Sequence, residues 1–421
     1  MRFHLTCLLF LGAGVAAAQG ENVYLLQPDR VFDGKEMHKD WVVLVRGEKI
    51  EAVGPAGSLG RPTYARLIDL PDMTLLPGLI DAHTHLFLHP YNETPWNDQV
   101  LKESAAERAA RATVHAERSL LAGFTTLRDL GTEGAGYADA GIKAAIQKGA
   151  IRGPRLLIAS RAIVSTGSYG PRGFSPDFDM PLGAEPADGV DELIRVVRDQ
   201  IGKGADWVKV YADYRWGPRG EARPTFSAEE LRLIVDTAAS SGRPVVAHAA
   251  TPEGMRRATV AGVETIEHGD GGTEEVFRLM AEHGVALCPT LAASEAVARY
   301  SGWNPETDPQ PERVQASRES FQRAMAAGVT ICNGSDAGVF RHGDNGRELE
   351  LMVAYGMSGL DALRAATSVN ARLLHMSADV GSILPGFQAD LIGVRGDPTA
   401  DISHLRDLTL VMKAGQIYLE P

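Results

Sequence analysis

Hydrophobic positions in the middle of the chain alternate between short apolar runs and segments with apolar residues three and four apart. The runs predict strands and the segments predict helices, as at 190–201 and 228–239. Glycine closes several of the helical segments before the next run, as is common at helix ends. The predicted strands are 75–82, 125–129, 155–159, 207–211, 244–248, 263–268, 285–289 and 329–334. Eight repeats over about 300 residues predict a (β/α)8 TIM barrel. A doubly wound open sheet is the alternative, although no GxGxxG motif opens the first repeat.

Both ends of the chain differ from this middle, because their short β-type runs are separated by glycine and proline turns. Residues 41–45 and 50–53 flank a turn near the start, and residues 389–394 and 408–413 have the same character near the end. We therefore expect the ends to pair into one small β-sandwich domain of residues 19–76 plus 378–421. The barrel, residues 77–377, would be inserted in it.

The first 18 residues have the pattern of a secretory signal peptide. Arg2 precedes an almost wholly apolar run from Leu5 to Val15, and three alanines precede Gln19. The run is too short for a permanent membrane span. We expect a secreted or periplasmic protein with no membrane segment after cleavage. A buried N-terminal element is the alternative.

Composition narrows the class of protein further. The 421 residues carry 42 Lys and Arg against 54 Asp and Glu, for a net charge of −12. This acidic balance, without a basic block, argues against nucleic-acid binding. Of the three cysteines, Cys7 would leave with the signal peptide. Cys288 and Cys332 lie in apolar runs, which favours buried, unreactive thiols over a disulfide bridge.

Side chains that commonly bind metals stand at the ends of the predicted barrel strands, where barrel enzymes place their functional residues. They are His83 and His85 after the first strand, Lys209 in the fourth, His248 and His268 ending the fifth and sixth, and Asp336 after the eighth. A single histidine is more often an ordinary polar residue, but so many at one rim favour a ligand set. Imidazoles and carboxylate without thiolate are typical of catalytic zinc or a similar divalent ion.

The ordered motifs resemble the amidohydrolase superfamily over nearly the whole mature chain. The matching segments are LPGLIDAHTH (76–85), GFTTLRD (123–129), VAHA (246–249), TIEHG (265–269), NGSDAG (333–338), AAT (365–367) and LPGFQADL (384–391). Residues 340–352 are similar to one branch of it. That branch contains Xaa-Pro dipeptidase-like carboxypeptidases, imidazolonepropionase-like proteins and ochratoxin-hydrolysing amidases.

The resemblance implies a site for two divalent metal ions, with zinc as the expected metal. His83, His85 and Asp336 would bind the more buried ion and the histidines of strands five and six the outer one. Lys209 stands where the family has a carboxylated lysine that bridges both. An ion-paired Lys209 beside a single metal is the alternative. Metal-bound hydroxide would attack the carbonyl, and Asp336 would pass the proton to the leaving amine.

The branch implies cleavage of the amide bond to a C-terminal amino acid. Substrates would be dipeptides or N-acyl amino acids, including ochratoxin-type phenylalanine amides, and Tyr211 and Arg215 would bind the free carboxylate. Many relatives have Thr-Gly-Gly-His-Gly where residues 166–170 read Thr-Gly-Ser-Tyr-Gly. Tyr169 would then donate to the scissile carbonyl, stack on the substrate or simply pack in its loop. His342 is a further candidate, either facing the substrate or supporting the ligands.

Two other functions stay open. One is a lactonase or cyclic-amide hydrolase of the imidazolonepropionase-like type. The other is a metal-free binding protein on the same fold, against which the complete ligand set argues. The resemblance also implies a homo-oligomer, of which an octamer is one form.

Overall fold

The computed structural model describes residues 22–60 and 62–421, so the predicted signal peptide and Cys7 lie outside the described residues. The strands are β1 (Val23–Phe32), β2 (Met37–Lys39), β3 (Trp41–Arg46), β4 (Lys49–Pro55), β5 (Arg66–Pro77), β6 (Leu79–Thr84), β7 (Phe124–Asp129), β8 (Arg155–Ile158), β9 (Ile163–Val164), β10 (Glu185–Pro186), β11 (Val208–Tyr211), β12 (Asp213–Tyr214), β13 (Arg223–Pro224), β14 (Val245–Ala249), β15 (Thr265–His268), β16 (Ala286–Cys288), β17 (Leu391–Arg395), β18 (Leu408–Lys413) and β19 (Gln416–Leu419).

The helices lie mainly between the barrel strands. They are α1 (Trp96–Lys102), α2 (Ala105–Leu121), α3 (Ala138–Gln147), α4 (Gly189–Gly202), α5 (Ala228–Ala239), α6 (Pro252–Ala261), α7 (Glu274–His283), α8 (Leu291–Tyr300), α9 (Glu312–Ala326), α10 (Arg347–Ala354), α11 (Gly359–Arg364) and α12 (Asn370–Leu373). A π-helical turn (Ala365–Val369) separates the last two, and a 3-10 helix (Ile402–Arg406) precedes β18.

The two chain ends form one hydrogen-bonded sheet in the order β19-β18-β17-β5-β1-β3-β4, with β2 paired to β1. Strand β5 lies parallel to β1 on one side and antiparallel to β17 on the other. Neighbouring residues of a strand point to opposite faces of this sheet. Leu26 and Val43 accordingly belong to one apolar cluster, and Leu25 and Leu44 belong to another. The predicted pairing of the ends is consistent with this sheet. The two-layer sandwich stays a prediction.

The middle of the chain forms parallel strands that close into a ring. Hydrogen bonds link β6-β7-β8 and β11-β14-β15-β16 into ladders. The N–H groups of Asp206 and Trp207 donate to Ile158 O and so join β8 to β11. Residues 330–337 close the other side, because Cys332 N donates to Leu287 O and Asp336 N donates to His83 O. This parallel ring is the architecture predicted for the middle of the chain, and the open-sheet alternative does not account for its closure.

Helix ends agree with the sequence signals. Helix α5 spans the predicted residues 228–239 and begins with a capping box between Ser227 and Glu230. Helix α6 has a Thr251 cap and ends at Gly262 with φ 93°, a left-handed conformation that glycine adopts without a Cβ penalty. The barrel helices are therefore specified locally, before any packing is considered.

Two predicted strands differ from the structure. Residues 75–82 are not one strand, because β5 ends at Pro77 and β6 begins at Leu79. The predicted strand 329–334 forms only an isolated bridge at Ile331. Side-chain amides replace some of the backbone hydrogen bonds of a regular strand here. The Asn333 amide donates to Ile80 O, and the Asn370 amide donates to Asn333 O.

The expectation of two separate thiols was wrong. Cys288 and Cys332 form a disulfide, with Cα atoms 4.9 Å apart. The bond crosses from β16 to the segment that closes the barrel, so ring closure is what places the two sulfurs together. In the described part of the chain, the helices are too short or too polar to cross a membrane.

Candidate metal centre

Three histidines at strand ends turn one ring nitrogen toward a common point. Nδ1 of His83 donates to Glu267 Oε2 at 2.7 Å, and Nδ1 of His85 donates to Gly131 O at 2.9 Å. These acceptors place the ring protons on Nδ1 and leave the lone pairs on Nε2. Nδ1 of His268 is likewise paired, 2.7 Å from Thr290 Oγ1. The structure thus fixes ring orientations as metal sites require.

The free nitrogens of the first pair face a carboxylate. His83 Nε2 and His85 Nε2 are 3.3 Å apart and lie 3.5 and 3.3 Å from Asp336 Oδ1. Ligand atoms of His83, His268 and Asp336 also lie within 4.8 Å of one another. Burial raises the pKa of Asp336 to about 8. Without a cation the group is therefore mostly protonated at neutral pH. Once it ionises, the carboxylate and the two imidazole lone pairs converge and repel, and a bound cation would remove that repulsion.

Lys209 is buried on β11, which pairs with β14, the strand that carries His248. Its Nζ has no hydrogen-bond partner among the described residues. Burial lowers its pKa to about 8, so the neutral amine is accessible near neutral pH. A neutral lysine amine is the form that reacts with carbon dioxide, so the expected carboxylation is chemically feasible here.

His248 lies at the outer side of the centre. Its ring is 4.4 Å from the His268 ring and stacks on Tyr211 at 4.5 Å, with centroids as reference points. Burial lowers the pKa of both histidines, which keeps the imidazoles neutral, the form that binds metals. The structure therefore brings together all six predicted ligands.

Backbone strain accompanies this arrangement. His268 and Asp336 have φ values of 76° and 61°, in the left-handed region that residues with a Cβ rarely adopt. Thr290, the partner of His268, has φ 50°. Such conformations cluster at functional sites because the surrounding structure must hold them.

Asp81 fastens the first strand to the closing segment. One of its carboxylate oxygens accepts the N–H groups of His83 and Ser335, and the other accepts the Ser335 hydroxyl and the Asn345 amide. Burial raises its pKa to about 6 despite these bonds. Since His83 and Asp336 lie on the two segments that Asp81 joins, it sets their separation.

A cavity of about 640 Å³ opens beside the centre. It is lined by His85, His248, His268 and Asp336, by the aromatic residues Tyr91, Trp96, Tyr169, Tyr211 and Tyr214, and by the charged residues Glu133, Asp213, Arg215, Asp270 and Arg313. Predicted carboxylate-binding residues Tyr211 and Arg215 both reach this cavity. Its size suits a small ligand.

The other two candidates occupy different positions. The Tyr169 hydroxyl donates to Glu133 Oε2 at 2.6 Å, so its hydrogen is engaged there and not directed at a substrate carbonyl. His342 lies under Leu88, whose carbonyl is 3.2 Å from His342 Nε2, and stacks on His115. It lines a neighbouring pocket rather than the cavity. Of its two predicted roles, the support of the ligand segment fits this placement.

Sequence reasoning missed the residues that orient the ligands. Glu267 and Arg128 are both fully buried and paired at 3.0 Å, and Glu267 also holds His83. The available signal was a charged residue inside each of two apolar strand motifs, since buried charges need partners. Glu133 had no comparable signal, because it lies in a loop.

Comparisons with known proteins agree with this geometry. The pattern of the amidohydrolase family matches residues 74–418. Ochratoxinase of Aspergillus niger is 32% identical over 379 residues, which cover 82% of this chain and 76% of that protein. Imidazolonepropionase of Salinispora tropica is 25% identical over 381 residues, covering 85% and 86%. A solved Xaa-Pro dipeptidase with methionine bound in its active site shares 33% identity at a TM-score of 0.83, covering 94% and 100%.

The chain therefore belongs to the amidohydrolase family. It is a hydrolase of the kind that acts on amide bonds, as the resemblance predicted. Members of the family are generally metal-dependent, and the cluster of His83, His268 and Asp336 is a candidate metal site.

Proposed function

We propose that the protein is a binuclear metal-dependent amidohydrolase that releases a C-terminal amino acid from dipeptides or N-acyl amino acids, ochratoxin-type phenylalanine amides among them. The observation that carries the proposal is the convergence of His83 Nε2 and His85 Nε2 on Asp336 Oδ1, beside the unpartnered Lys209 amine. The similarity to ochratoxinase and to a dipeptidase with a bound amino acid supports the substrate class.

The residues present fit two divalent ions, expected to be zinc. His83, His85 and Asp336 would hold one, His248 and His268 the other, and a carboxylated Lys209 would bridge them. The donor set of imidazoles and oxygen anions is one that zinc accepts. Metal bound there would polarise the scissile carbonyl and acidify the attacking water.

The chain's own residues supply the remaining steps. Asp336 would take a proton from the attacking water and deliver it to the leaving nitrogen. Arg215, exposed at the cavity rim, would bind the free carboxylate, and Tyr211 would contact the same end of the substrate. Aromatic side chains around the cavity exclude water and contact apolar substrate groups.

The first experiment measures metal and activity together. Purified protein should contain close to two equivalents of zinc and should release phenylalanine from an N-acyl-phenylalanine faster than it opens lactones or cyclic amides. Lactone opening without any amino-acid release would favour the lactonase or imidazolonepropionase-like alternative. Protein that binds less than one equivalent of metal and stays inactive after zinc addition would support the non-catalytic binding function.

Variants assign the ligands. His248→Ala and Asp336→Ala should abolish turnover and lower the bound zinc while circular dichroism stays native. Exposed His283→Ala is the matched control, because it removes an imidazole far from the centre and should keep both properties. Native mass spectrometry at neutral pH should find the wild-type chain heavier by one carbon dioxide and Lys209→Met without that adduct. Near-normal turnover in His248→Ala or Asp336→Ala would contradict the assignment.

Export and assembly remain part of the proposal. Signal cleavage after residue 18 would leave a secreted or periplasmic chain, and the Cys288–Cys332 disulfide supports an oxidising compartment. Residues 77–377 would form the catalytic barrel domain, and 19–76 with 378–421 the β-sandwich domain. N-terminal sequencing checks the cleavage site, and light scattering checks the homo-oligomer, including the octamer.

A further inference from the structure

We infer that Glu133 and the aromatic residues around it form a subsite for a cationic group on the acyl side of the scissile bond, as in the free α-ammonium of a dipeptide. The inference rests on the proposed function and decides between its two substrate classes. Dipeptides carry that ammonium, whereas N-acyl amino acids carry a neutral group in its place.

Glu133 is a buried carboxylate with an unusual set of partners. It is only 3% exposed, yet it lines the cavity beside the metal centre. Its Oε2 accepts the Trp96 indole N–H at 3.0 Å and the Tyr169 hydroxyl at 2.6 Å, and both donors are neutral. Among the described residues, these two are the only side-chain hydrogen bonds that the carboxylate accepts, and neither oxygen forms a salt bridge with a lysine, arginine or histidine.

Arg108 contacts the Glu133 backbone, but its donors are bound to carbonyl oxygens and not to the carboxylate. They bind the carbonyl oxygens of Phe87, Thr132 and Glu133 itself. Arg108 thus fixes the loop without pairing with the Glu133 carboxylate. The loop is strained, since Glu133 has φ 49°. No side chain neutralises this buried carboxylate, and other residues would hold the proposed metal ions, so its position beside the cavity points to a cation supplied by the ligand.

The surrounding rings suit a cation as well. The Tyr169 ring lies 5.3 Å from Trp96 and 4.8 Å from both Tyr211 and Tyr214, measured between centroids. Aromatic faces attract ammonium groups through their quadrupoles, and these rings line the same cavity as the Glu133 carboxylate. Aromatic lining alone would suit any apolar group. The carboxylate among the rings is what selects a positive charge.

The position of Glu133 matches the geometry of a dipeptide. Gly131, two residues before it, accepts the ring N–H of the proposed ligand His85. The subsite therefore adjoins the metal centre. The α-ammonium of a dipeptide is attached to the carbon next to the scissile carbonyl, so its partner must lie this close. Arg215, directly after β12, remains for the carboxylate at the other end of the substrate.

The test compares two substrates that differ at one group. Glycyl-phenylalanine and propionyl-phenylalanine have the same shape, with an ammonium replaced by a methyl group. Wild-type enzyme should show a kcat/KM higher for the glycyl substrate by about 10- to 100-fold, the value of a charge-assisted hydrogen bond. Glu133→Gln keeps the acceptor for Trp96 and Tyr169 but loses the charge. Its preference should fall to within about threefold of unity.

Asp270→Asn is the matched control, because Asp270 is another carboxylate of the same cavity, held by the Ser317 hydroxyl. This variant should keep the wild-type preference within about threefold. An equal loss in Asp270→Asn would overturn the inference, since the preference would then follow the overall charge of the cavity.

Other outcomes also decide the matter. Equal wild-type kcat/KM for the two substrates, a preference that survives in Glu133→Gln, or an equal loss on both substrates in that variant would each overturn the subsite. The wild-type comparison holds even if Glu133→Gln does not fold. If neither compound is hydrolysed, the proposed function fails. The subsite is then tested by calorimetric binding of the two compounds to the zinc-loaded protein, where equal affinities would overturn it.

Discussion

Glu267 offers the most direct test of how the barrel interior supports the metal centre. Both Glu267 and its partner Arg128 are 0% exposed, with Nη2 and Oε1 3.0 Å apart. The other carboxylate oxygen of Glu267 holds His83 Nδ1 at 2.7 Å. Glu267→Gln therefore makes two changes, because it leaves a buried guanidinium without its anion and weakens the acceptor that orients a ligand.

The expected magnitudes come from these two contacts. Removing one partner of a buried ion pair costs about 3–5 kcal/mol of unfolding free energy. Losing an orienting partner lowers metal affinity by about 10- to 100-fold. Urea unfolding of zinc-stripped protein measures the first effect, and competition with a chromophoric zinc chelator measures the second. Stripping the metal keeps the two measurements independent.

A double-mutant cycle separates the pair from other contacts of Arg128, which also stacks on Trp207 at 4.4 Å. Glu267→Gln combined with Arg128→Met should be less destabilised than the sum of the single variants by about 2 kcal/mol. Glu253→Gln, which breaks the surface pair with Arg256, is the control and should cost less than about 1 kcal/mol. A cost below about 1 kcal/mol for Glu267→Gln, with unchanged zinc affinity, would refute the reasoning.

Three more predictions follow from contacts elsewhere in the barrel. Replacing Cys288 and Cys332 by alanine should lower the unfolding free energy by about 4 kcal/mol for their separation of 44 residues, and the denatured, unreduced mature protein should show no free thiol in a colorimetric assay. Burial raises the pKa of Glu348 from 4.5 to about 8, so its stabilising contribution is present below pH 4.5 and is lost as the pH rises toward 8. Between pH 4.5 and 8 the thermal midpoint of Glu348→Gln should therefore fall less than that of the wild-type protein. Equal slopes of thermal midpoint against pH in the two proteins would contradict the raised pKa. Gly334→Ala should destabilise the protein by about 1–3 kcal/mol and weaken zinc binding, because the new Cβ would lie 2.9 Å from Cys288 Cβ and 3.0 Å from His83 Cβ; unchanged urea midpoint and zinc content would show that the strands shift freely.

The strands, helices and ligand types of the barrel could be predicted because their signals are local. Alternation along β6 places His83 and His85 on one side, and the structure puts their Nε2 atoms 3.3 Å apart. Capping residues and terminal glycines mark the helices within one or two positions. These signals depend only on neighbouring residues in the sequence, so they can be recognised before the fold is known.

The supporting contacts could not be predicted, because they join distant segments. Glu267 and His83 are 184 positions apart, and the loop residues Glu133 and Tyr169 are 36 apart. The disulfide was missed for the same reason, since it depends on β16 lying beside the closing segment. Residues 330–337 also depart from regular strand geometry where amide side chains replace backbone pairing. A periodicity argument has no information on such partners.

The shared sheet also determines the order in which the protein can be completed. Strand β5 pairs with β1 early in the chain, but its other edge receives β17 and the strands after it, from residues 391–419. Those residues follow the barrel in the chain, so the β5 edge stays open while the barrel segment is being synthesised. Open edges pair with other chains. A chain cut short before Leu391 would therefore keep its barrel sequence but expose the β5 edge to pairing with other chains, so β17 to β19 protect the protein from aggregation as well as completing the sheet.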